Sequence, residues 1–232
     1  MLAILDYKAG NQTSVLRALR HLDIPGKITA QDSDLFSASG IIFPGVGAAG
    51  QAMRHLRDSG LAGVLRDLTE SGKPLLGICL GCQILLEHSD EGDTSTLGII
   101  RGGCRRFSGD LRDEEGRPIN IPHMGWNSLR PLRDTPLLCG IDPGAEFYFV
   151  HAYYVEPEPE LVLAQTRHGL DFCSVYGKDG LWAVQFHPEK SGPAGLTLLR
   201  NFYRHCQKAK RQAGPDIGGE TGQANGERDE QC

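Results

Sequence analysis

Short apolar runs alternate with helical patterns along the first half of the chain. Residues 1–5, 40–43 and 75–78 are apolar runs of strand length, and the second one ends at Pro44. Between the first two runs, apolar residues recur at the spacing of one helix face, namely Val15, Leu16, Leu19 and Leu22. A further helical pattern extends from Met53 to Leu68. Strands that alternate with helices predict β-α-β units and a parallel sheet.

After residue 101 the pattern changes to shorter runs that are rich in aromatic and β-branched residues. Runs of this composition, separated by turn residues, are typical of strands. They are residues 147–150, 161–163, 172–175 and 182–186. We expect antiparallel strands here that extend the parallel sheet. The predicted fold class is therefore α/β, with a mixed sheet, helices on both faces and an added antiparallel strand region.

A final helix is predicted from about Ala194, and it ends in the basic run 208–211. Basic side chains suit a helix C-terminus because they interact favourably with the helix dipole. From Gln212 onward the chain carries five glycines and almost no large apolar residue, so it cannot bury enough surface to offset the entropy of ordering. We predict one domain over residues 1–207 and a disordered tail over 208–232.

Composition and charge exclude several classes of function. A chain of 232 residues with 40% hydrophobic content can form one sizeable core. The formal charge of −5, with Lys and Arg spread along the chain, provides no basic surface for nucleic acid. The first charge, Asp6, follows only five residues, which is too short for the apolar region of a signal peptide, and no run is long enough to span a membrane. We expect a cytoplasmic protein without a membrane or nucleic-acid partner.

Cys79 stands at the end of an apolar strand, with Gly77 and Gly81 two residues away on either side. This is the pattern of a nucleophile elbow, in which a sharp strand-to-helix turn requires small residues at these two positions. Cysteine attacks as the thiolate, and the N-terminus of a helix lowers the pKa of a thiol. The pattern predicts that Cys79 is a nucleophile.

Far downstream, the run Gln185-Phe-His-Pro-Glu189 offers His187 as a base and Glu189 as the carboxylate that orients it. In a triad with Cys79, the histidine protonates the leaving group and then activates water, while the glutamate stabilises the imidazolium. The developing oxyanion needs preorganised donors. The amide of Leu80 and the glycine loop 44–47 are candidate sources.

Each of these patterns is common by itself, because cysteines often only pack in a core and glycines often only form turns. Their occurrence together, in this order, favours an acyl-transfer site. Cys79 and Cys82 also form a C-x-x-C motif, which leaves open a redox pair or half of a zinc site. A zinc site would need a second pair of ligands, and the seven cysteines provide none at a suitable spacing. We expect no metal.

The sequences Gly77-Ile-Cys-Leu-Gly-Cys-Gln83 and Gln185-Phe-His-Pro-Glu189 resemble those of the class I (triad) glutamine amidotransferases, and the resemblance extends from about Leu2 to Cys206. These enzymes hydrolyse glutamine at a Cys-His-Glu triad and pass ammonia to a synthase partner. The resemblance implies a flavodoxin-like mixed sheet, L-glutamine as substrate and no cofactor.

Narrower motifs are similar to those of one branch of this family, whose partner is a (β/α)8-barrel cyclase of L-histidine biosynthesis. They are residues 44–47, 91–93 with 97–98, 123–127, 148–153 and 187–191. The run His-Met-Gly-Trp-Asn at 123–127 is the most specific of them. This likeness implies a heterodimer in which ammonia passes from the glutaminase to the cyclase.

The same resemblance implies a role for each matching residue. It assigns Cys79, His187 and Glu189 to catalysis and the amides of Val46 and Leu80 to the oxyanion hole. The residues implied in glutamine binding are Gly47, Gln83, Ala152 and Tyr153. Those implied at the partner interface are Asn11, Trp126, Tyr148, His151 and Lys190. Three of these interface residues also have an ordinary interpretation, which is core or rim packing for Trp126, burial for Tyr148 and a solvated surface lysine for Lys190.

Three alternatives remain open from the sequence. The chain could serve a different synthase, it could be a scaffold with an idle thiol, or it could use Cys79 and Cys82 in redox chemistry. We also predict that the isolated chain hydrolyses glutamine slowly, because a partner could switch the glycine loop into donor geometry.

Overall fold

The structure, a computed structural model, describes residues 1–8 and 10–212. Its strands are β1 (Leu2–Leu5), β2 (Gly26–Thr29), β3 (Gly40–Gly45), β4 (Leu75–Cys79), β5 (His88–Ser89), β6 (Thr94–Ser95), β7 (Gly102–Arg106), β8 (His123–Ser128), β9 (Arg130–Pro131), β10 (Glu146–His151), β11 (Tyr153–Pro157), β12 (Val162–His168), β13 (Leu170–Lys178) and β14 (Leu181–Val184). Its α-helices are α1 (Gln12–His21), α2 (Asp32–Ser37), α3 (Ala49–Asp58), α4 (Leu61–Glu70), α5 (Leu80–Ile84) and α6 (Gly192–Gln212).

Within the described residues, one large mixed sheet has the strand order β2-β1-β3-β4-β14-β13-β11-β7-β5-β6, with β12 and β9 attached through β13. The segment from β2 to β14 is parallel, and from β14 to β7 the neighbours are antiparallel. β8 and β10 pair separately as an antiparallel two-stranded ribbon. The first half of the chain therefore builds the parallel part that carries the predicted nucleophile.

Helices cover both faces of the parallel segment because its strands carry apolar residues on both sides. Ile41 and Phe43 of β3 belong to a buried cluster that includes Leu56 of α3 and Leu65 of α4. The intervening residue Ile42 belongs to a second cluster, which includes residues of α1 and α6. Strands that are buried on both faces are the normal state of a parallel sheet between helices.

The predicted α/β class, with helices on both faces and added antiparallel strands, is confirmed. Three details of the prediction are wrong. Residues 147–150 lie in the separate ribbon and do not extend the large sheet. Residues 182–184 lie in β14, which is parallel to β4 and antiparallel only to β13. The strand β3 also continues through Pro44 to Gly45.

The last helix continues to Gln212, so residues 208–212, which the sequence assigned to the tail, are helical. The predicted disorder of the remaining tail concerns residues 213–232, which lie outside the described residues. In the described part of the chain, no helix combines the length and the apolar character that crossing a membrane requires.

Candidate active site

The candidate triad lies where three neighbouring parallel strands end. β3 pairs with β4 so that Gly45 lies opposite Cys79, and β14 pairs with β4 so that Val184 lies opposite Ile78. The chain beyond Gly45 is the glycine loop, and the chain beyond Val184 leads within three residues to His187. The carboxyl ends of adjacent parallel strands are the usual location of sites in open α/β sheets.

Cys79 adopts an unusual backbone conformation, with φ of 53° and ψ of −106°. A positive φ is rare for a residue with a side chain and marks local strain, which is common at functional positions. The glycines on either side permit this turn. A Cβ at Gly81 would lie 1.9 Å from the carbonyl oxygen of Phe43, and one at Gly77 would lie 2.8 Å from Leu85. The elbow therefore requires glycine at both positions.

His187 and Glu189 form a buried pair beside the elbow. Nδ1 of His187 lies 2.7 Å from Oε1 of Glu189, and the side chains are 1% and 0% exposed. The side-chain amide of Asn11 donates a second hydrogen bond to the same carboxylate oxygen. Within the described residues, Nε2 of His187 is buried and makes no hydrogen bond of normal geometry. The ring is thus oriented through Nδ1, and Nε2 is available for proton transfer.

The electrostatics of this pair favour the charged imidazolium. Burial alone would lower the pKa of His187, but the proximity of the Cys79 sulfur and the hydrogen bond and charge of Glu189 outweigh burial and raise that pKa to about 10. An imidazole next to a thiol stabilises the thiolate in turn. The site is therefore arranged to hold a charged imidazolium beside the sulfur of Cys79.

The ribbon of β8 and β10 contacts the segment that carries the histidine. The amide of His187 donates to the carbonyl of Tyr148 at 2.9 Å. The amide of Tyr148 donates to the hydroxyl of Ser191 at 3.0 Å, and that hydroxyl donates to the carbonyl of His187 at 2.6 Å. Ser191 was not singled out from the sequence, although it ends the motif that carries the triad.

Gln83, which is implied in glutamine binding, is connected to the nucleophile by hydrogen bonds. Nε2 of Gln83 donates to the carbonyl of Tyr153 at 3.1 Å and to Oε1 of Gln185 at 3.2 Å. Nε2 of Gln185 lies 3.9 Å from the sulfur of Cys79. Ala152 adjoins Tyr153 and is half-buried. No role was predicted for Gln185, but its side chain links the nucleophile to Gln83.

The two implied donors of the oxyanion hole flank the elbow. Leu80 is buried and begins α5 directly after Cys79. Val46 is 38% exposed and is followed by Gly47, whose φ is 96°. Glu91, which had no assigned role, accepts a hydrogen bond from the amide of Ala49 at 2.7 Å and thereby holds the end of this loop.

The five residues that were predicted at the partner interface lie in different environments. Trp126 is 54% exposed and lies opposite Tyr148 in the ribbon, with their rings 6.1 Å apart. The ammonium group of Lys190 lies 6.0 Å from the Tyr148 ring. Asn11, by contrast, contacts the triad carboxylate. His151, the last residue of β10, is buried, and its Nε2 lies 3.0 Å from Nδ1 of His123.

Cys82 occupies a different environment from Cys79. Its side chain is fully buried in the core on α5. Burial raises the pKa of the Cys82 thiol well above its usual range, so this thiol stays protonated at neutral pH. Since thiol exchange requires a thiolate, the environment of Cys82 disfavours the redox alternative.

A nucleophile elbow with a histidine and a glutamate at the edge of a mixed α/β sheet defines a triad amidotransferase. The family model for class-I glutamine amidotransferases matches residues 3–206, and the chain belongs to that family. The predicted family is confirmed.

Curated relatives give a narrower likeness. The chain is 62% identical over 213 residues to "Imidazole glycerol phosphate synthase subunit HisH" of Desulfovibrio desulfuricans. The aligned residues cover 92% of this chain and 98% of the relative. The protein of the same name from Geobacillus thermodenitrificans is 45% identical over 204 residues, covering 87% and 94%.

Solved structures share the fold at lower identity. One described as "Crystal structure of glutamine amidotransferase" has a TM-score of 0.67 at 22% identity and covers 89% of this chain and 98% of its own. The structure of PurLQS from Thermotoga maritima has a TM-score of 0.66 at 17% identity, covering 88% and 97%. These neighbours support the fold alone.

Proposed function

We propose that this protein is the glutaminase subunit of an imidazole glycerol phosphate synthase. It hydrolyses L-glutamine to glutamate and ammonia at Cys79 and delivers the ammonia to a (β/α)8-barrel cyclase subunit in L-histidine biosynthesis. The observation that carries the proposal is the buried pair of His187 and Glu189 beside the strained elbow of Cys79, in a chain that is 62% identical to a HisH subunit.

In the first half of the reaction, the sulfur of Cys79 attacks the side-chain amide carbon of glutamine. A tetrahedral intermediate forms, and its collapse breaks the bond between that carbon and nitrogen. Nε2 of His187 gives its proton to the departing nitrogen, which leaves as ammonia. A γ-glutamyl thioester remains on Cys79. The raised pKa of His187 means that the proton is present when the leaving group needs it.

In the second half, water replaces ammonia. Nε2 of His187, now deprotonated, takes a proton from water, and the hydroxide attacks the thioester carbon. The carbon–sulfur bond then breaks, glutamate is released and the thiolate returns. Glu189 orients the ring and stabilises the imidazolium through its 2.7 Å hydrogen bond with Nδ1.

The negative oxygen of both tetrahedral intermediates needs two hydrogen-bond donors. We assign them to the amides of Leu80 and Val46, which follow directly on the two paired residues Cys79 and Gly45. Removal of one such donor reduces turnover by about 10²–10³. Val46 lies in a loop whose next residue has a left-handed backbone, so its peptide is the part that a partner could reorient.

The α-amino and α-carboxylate groups of glutamine then bind near Gln83, Gly47 and the backbone at Ala152 and Tyr153. Gln83 supports this assignment because its buried amide is fixed by Tyr153 and Gln185 next to the nucleophile.

The partner surface that we propose is the exposed side of the ribbon. Met124 is 63% exposed and Trp126 is 54% exposed, on the same side of β8. Tyr148 and Lys190 border them and connect directly to the segment that carries His187. Exposed apolar and aromatic side chains that lie together are typical of the centre of an interface. This position would let a docked cyclase receive ammonia close to where it is released.

The test is glutamate release by the purified chain, alone and with the cyclase and its bound ligand. Cys79→Ala is the blank, and Cys82→Ala is the matched control because it changes the other cysteine of the same helix turn. We expect slow hydrolysis alone, strong stimulation by the cyclase, loss of all activity in Cys79→Ala and retention in Cys82→Ala.

Two other results would contradict specific parts of the proposal. Hydrolysis that ignores the cyclase would reassign the chain to a different synthase. An active Cys79→Ala protein would refute the nucleophile.

A further inference from the structure

A line of buried hydrogen bonds connects the ribbon to the glutamine pocket. Nδ2 of Asn127 lies 3.2 Å from Nε2 of His123, and Nδ1 of His123 lies 3.0 Å from Nε2 of His151. Nδ1 of His151 lies 2.8 Å from the carbonyl oxygen of Tyr153. Both histidines are about as buried as core residues, with 4% and 5% of their surface exposed.

The chemistry of the groups gives this line a single direction. A carbonyl oxygen only accepts, so Nδ1 of His151 carries a hydrogen, and its Nε2 in the neutral ring accepts. The hydrogen between the two rings therefore belongs to Nδ1 of His123. Its Nε2 then accepts from Asn127. Burial lowers the pKa of His151 to about 4 and that of His123 to about 3, which keeps both rings neutral near pH 7.

The first donor of the line has a fixed orientation. Nδ2 of Asn127 also donates to the carbonyl of Arg167 at 2.9 Å, and its Oδ1 accepts from the amide of Ser128 at 2.9 Å. The amide can therefore present only its nitrogen to His123.

The far end of the line lies in the candidate active site. The carbonyl of Tyr153 also accepts from Nε2 of Gln83, whose second donor bond goes to Gln185 beside Cys79. His123 and Asn127 therefore hold, through His151, the peptide that the proposed function uses to bind glutamine. The same strand β8 carries the exposed Met124 and Trp126 on its opposite face.

We propose that His123 and His151 are positioning residues for glutaminase activity, which fix the Tyr153 peptide and the Gln83 amide through a directed hydrogen-bond line that starts at Asn127. This inference rests on the proposed function and adds three residues to its site. The two histidines touch neither the reacting atoms nor the proposed substrate, so they act through Tyr153.

The kinetic test uses the complex with the cyclase and three variants. His123→Phe keeps a ring in place but removes the donor to His151. His123→Asn places an amide nitrogen near the position of Nδ1 and retains a donor there. His168→Phe is the matched control, because His168 stacks on His123 with ring centres 4.1 Å apart but bonds to the carbonyl of Asn120, outside the line.

We expect His123→Phe to raise KM for glutamine about tenfold, the usual effect of losing one buried hydrogen bond, with kcat changed far less. His123→Asn should recover most of this loss, and His168→Phe should behave as the parent. Equal effects of His123→Phe and His168→Phe, or no rescue by His123→Asn, would overturn the proposal because they indicate general loosening of the ribbon.

A spectroscopic test does not depend on the variants or on catalysis. Nitrogen NMR of the histidine-labelled parent chain reports which ring nitrogen carries hydrogen. Both His123 and His151 should be in the Nδ1–H form. The Nε2–H form in either ring would overturn the line. If the parent complex does not hydrolyse glutamine, the proposed function fails, and this spectrum still decides whether the hydrogen-bond line exists.

Discussion

His187 donates a 2.7 Å hydrogen bond from Nδ1 to Glu189, and the two side chains are almost completely shielded from solvent. A carboxylate that is buried against an imidazole fixes the tautomer and supports its positive charge. The arrangement explains how the ring of His187 can act first as an acid and then as a base.

Glu189→Gln should reduce partner-stimulated glutaminase turnover about 10⁴-fold, since it removes the charge that stabilises the imidazolium. The pKa of His187 should fall from its raised value of about 10 toward the usual range. Steady-state kinetics and the pH profile measure both effects. Glu158→Gln is the control, because Glu158 forms only a surface pair with Arg101. A Glu189→Gln enzyme of nearly normal turnover would refute the triad.

Gly81→Ala should inactivate the enzyme and destabilise it by about 3 kcal/mol, because the new Cβ would collide with the Phe43 carbonyl. Gly63 in α4 is the matched control. It is exposed and has open space around it, so Gly63→Ala should raise stability by about 0.5–1 kcal/mol and leave activity unchanged. Urea unfolding and glutaminase rates measure the pair. Equal behaviour of the two alanines would contradict the elbow geometry.

Cys82→Ala should leave turnover within about threefold of the parent, because the change removes only one buried sulfur behind the elbow. The free energy of unfolding should fall by about 1 kcal/mol. Initial rates with and without reductant provide the measurement. Activity that needs Cys82, or that disappears under reducing conditions, would restore the redox alternative.

Stability should fall in acid because His123 and His151 are buried and neutral. Their pKa values are lowered to about 3 and about 4. Between pH 7 and 5 these two side chains therefore become protonated in the unfolded chain but stay neutral in the folded chain. Each ring should contribute a loss of about 2 kcal/mol over this interval.

His151→Phe isolates one of these two contributions. His187 has the opposite sign, because its raised pKa gives stability that is complete below the unfolded pKa and lost as pH rises through about 10. That contribution is common to parent and variant. The acid loss of His151→Phe should therefore be smaller than that of the parent by about 2 kcal/mol in urea titrations. An unchanged acid loss would mean that His151 is not buried in the neutral form.

Trp126→Ala should weaken binding of the cyclase by about 2 kcal/mol, a 30-fold rise in Kd, if Trp126 is at the centre of the interface. Basal hydrolysis by the isolated chain should not change. Phe36→Ala is the control, since Phe36 on α2 is exposed to a similar degree at 46%. Calorimetric titration of both variants measures the difference. If Trp126→Ala and Phe36→Ala bound the cyclase with equal affinity, the ribbon would not be part of the partner surface.

Much of the fold was predictable because the informative patterns are local. The glycines around Cys79 follow from the space at one turn, and the strands before it are continuous apolar runs. The family was also predictable because each triad motif is a short contiguous segment. The synthase to which its relatives belong was predictable from the narrower motifs, such as residues 123–127, which are also contiguous. The roles of the individual site residues remain predictions.

Several of the wrong or missing details depend on contacts between distant segments. Strand composition does not reveal whether β14 runs parallel to β4, nor that β10 pairs with β8 alone. The edge strand β2 carries the short mixed sequence Gly-Lys-Ile-Thr and was not predicted. The contact of Asn11 with Glu189 spans 178 positions, and the link from Gln185 to Cys79 spans 106 positions. The interface role of Asn11 stays a prediction.

The most direct test of the proposed reaction at Cys79 is to trap its covalent intermediate. The complex with the cyclase and its ligand is mixed with glutamine, quenched in acid within milliseconds and digested for mass spectrometry. We expect a γ-glutamyl group on the peptide that contains Cys79, attached to that sulfur and not to Cys82, and none in Cys79→Ala. Rapid glutamate release without a glutamyl adduct on Cys79, or an adduct elsewhere, would refute the assignment of Cys79 as the nucleophile.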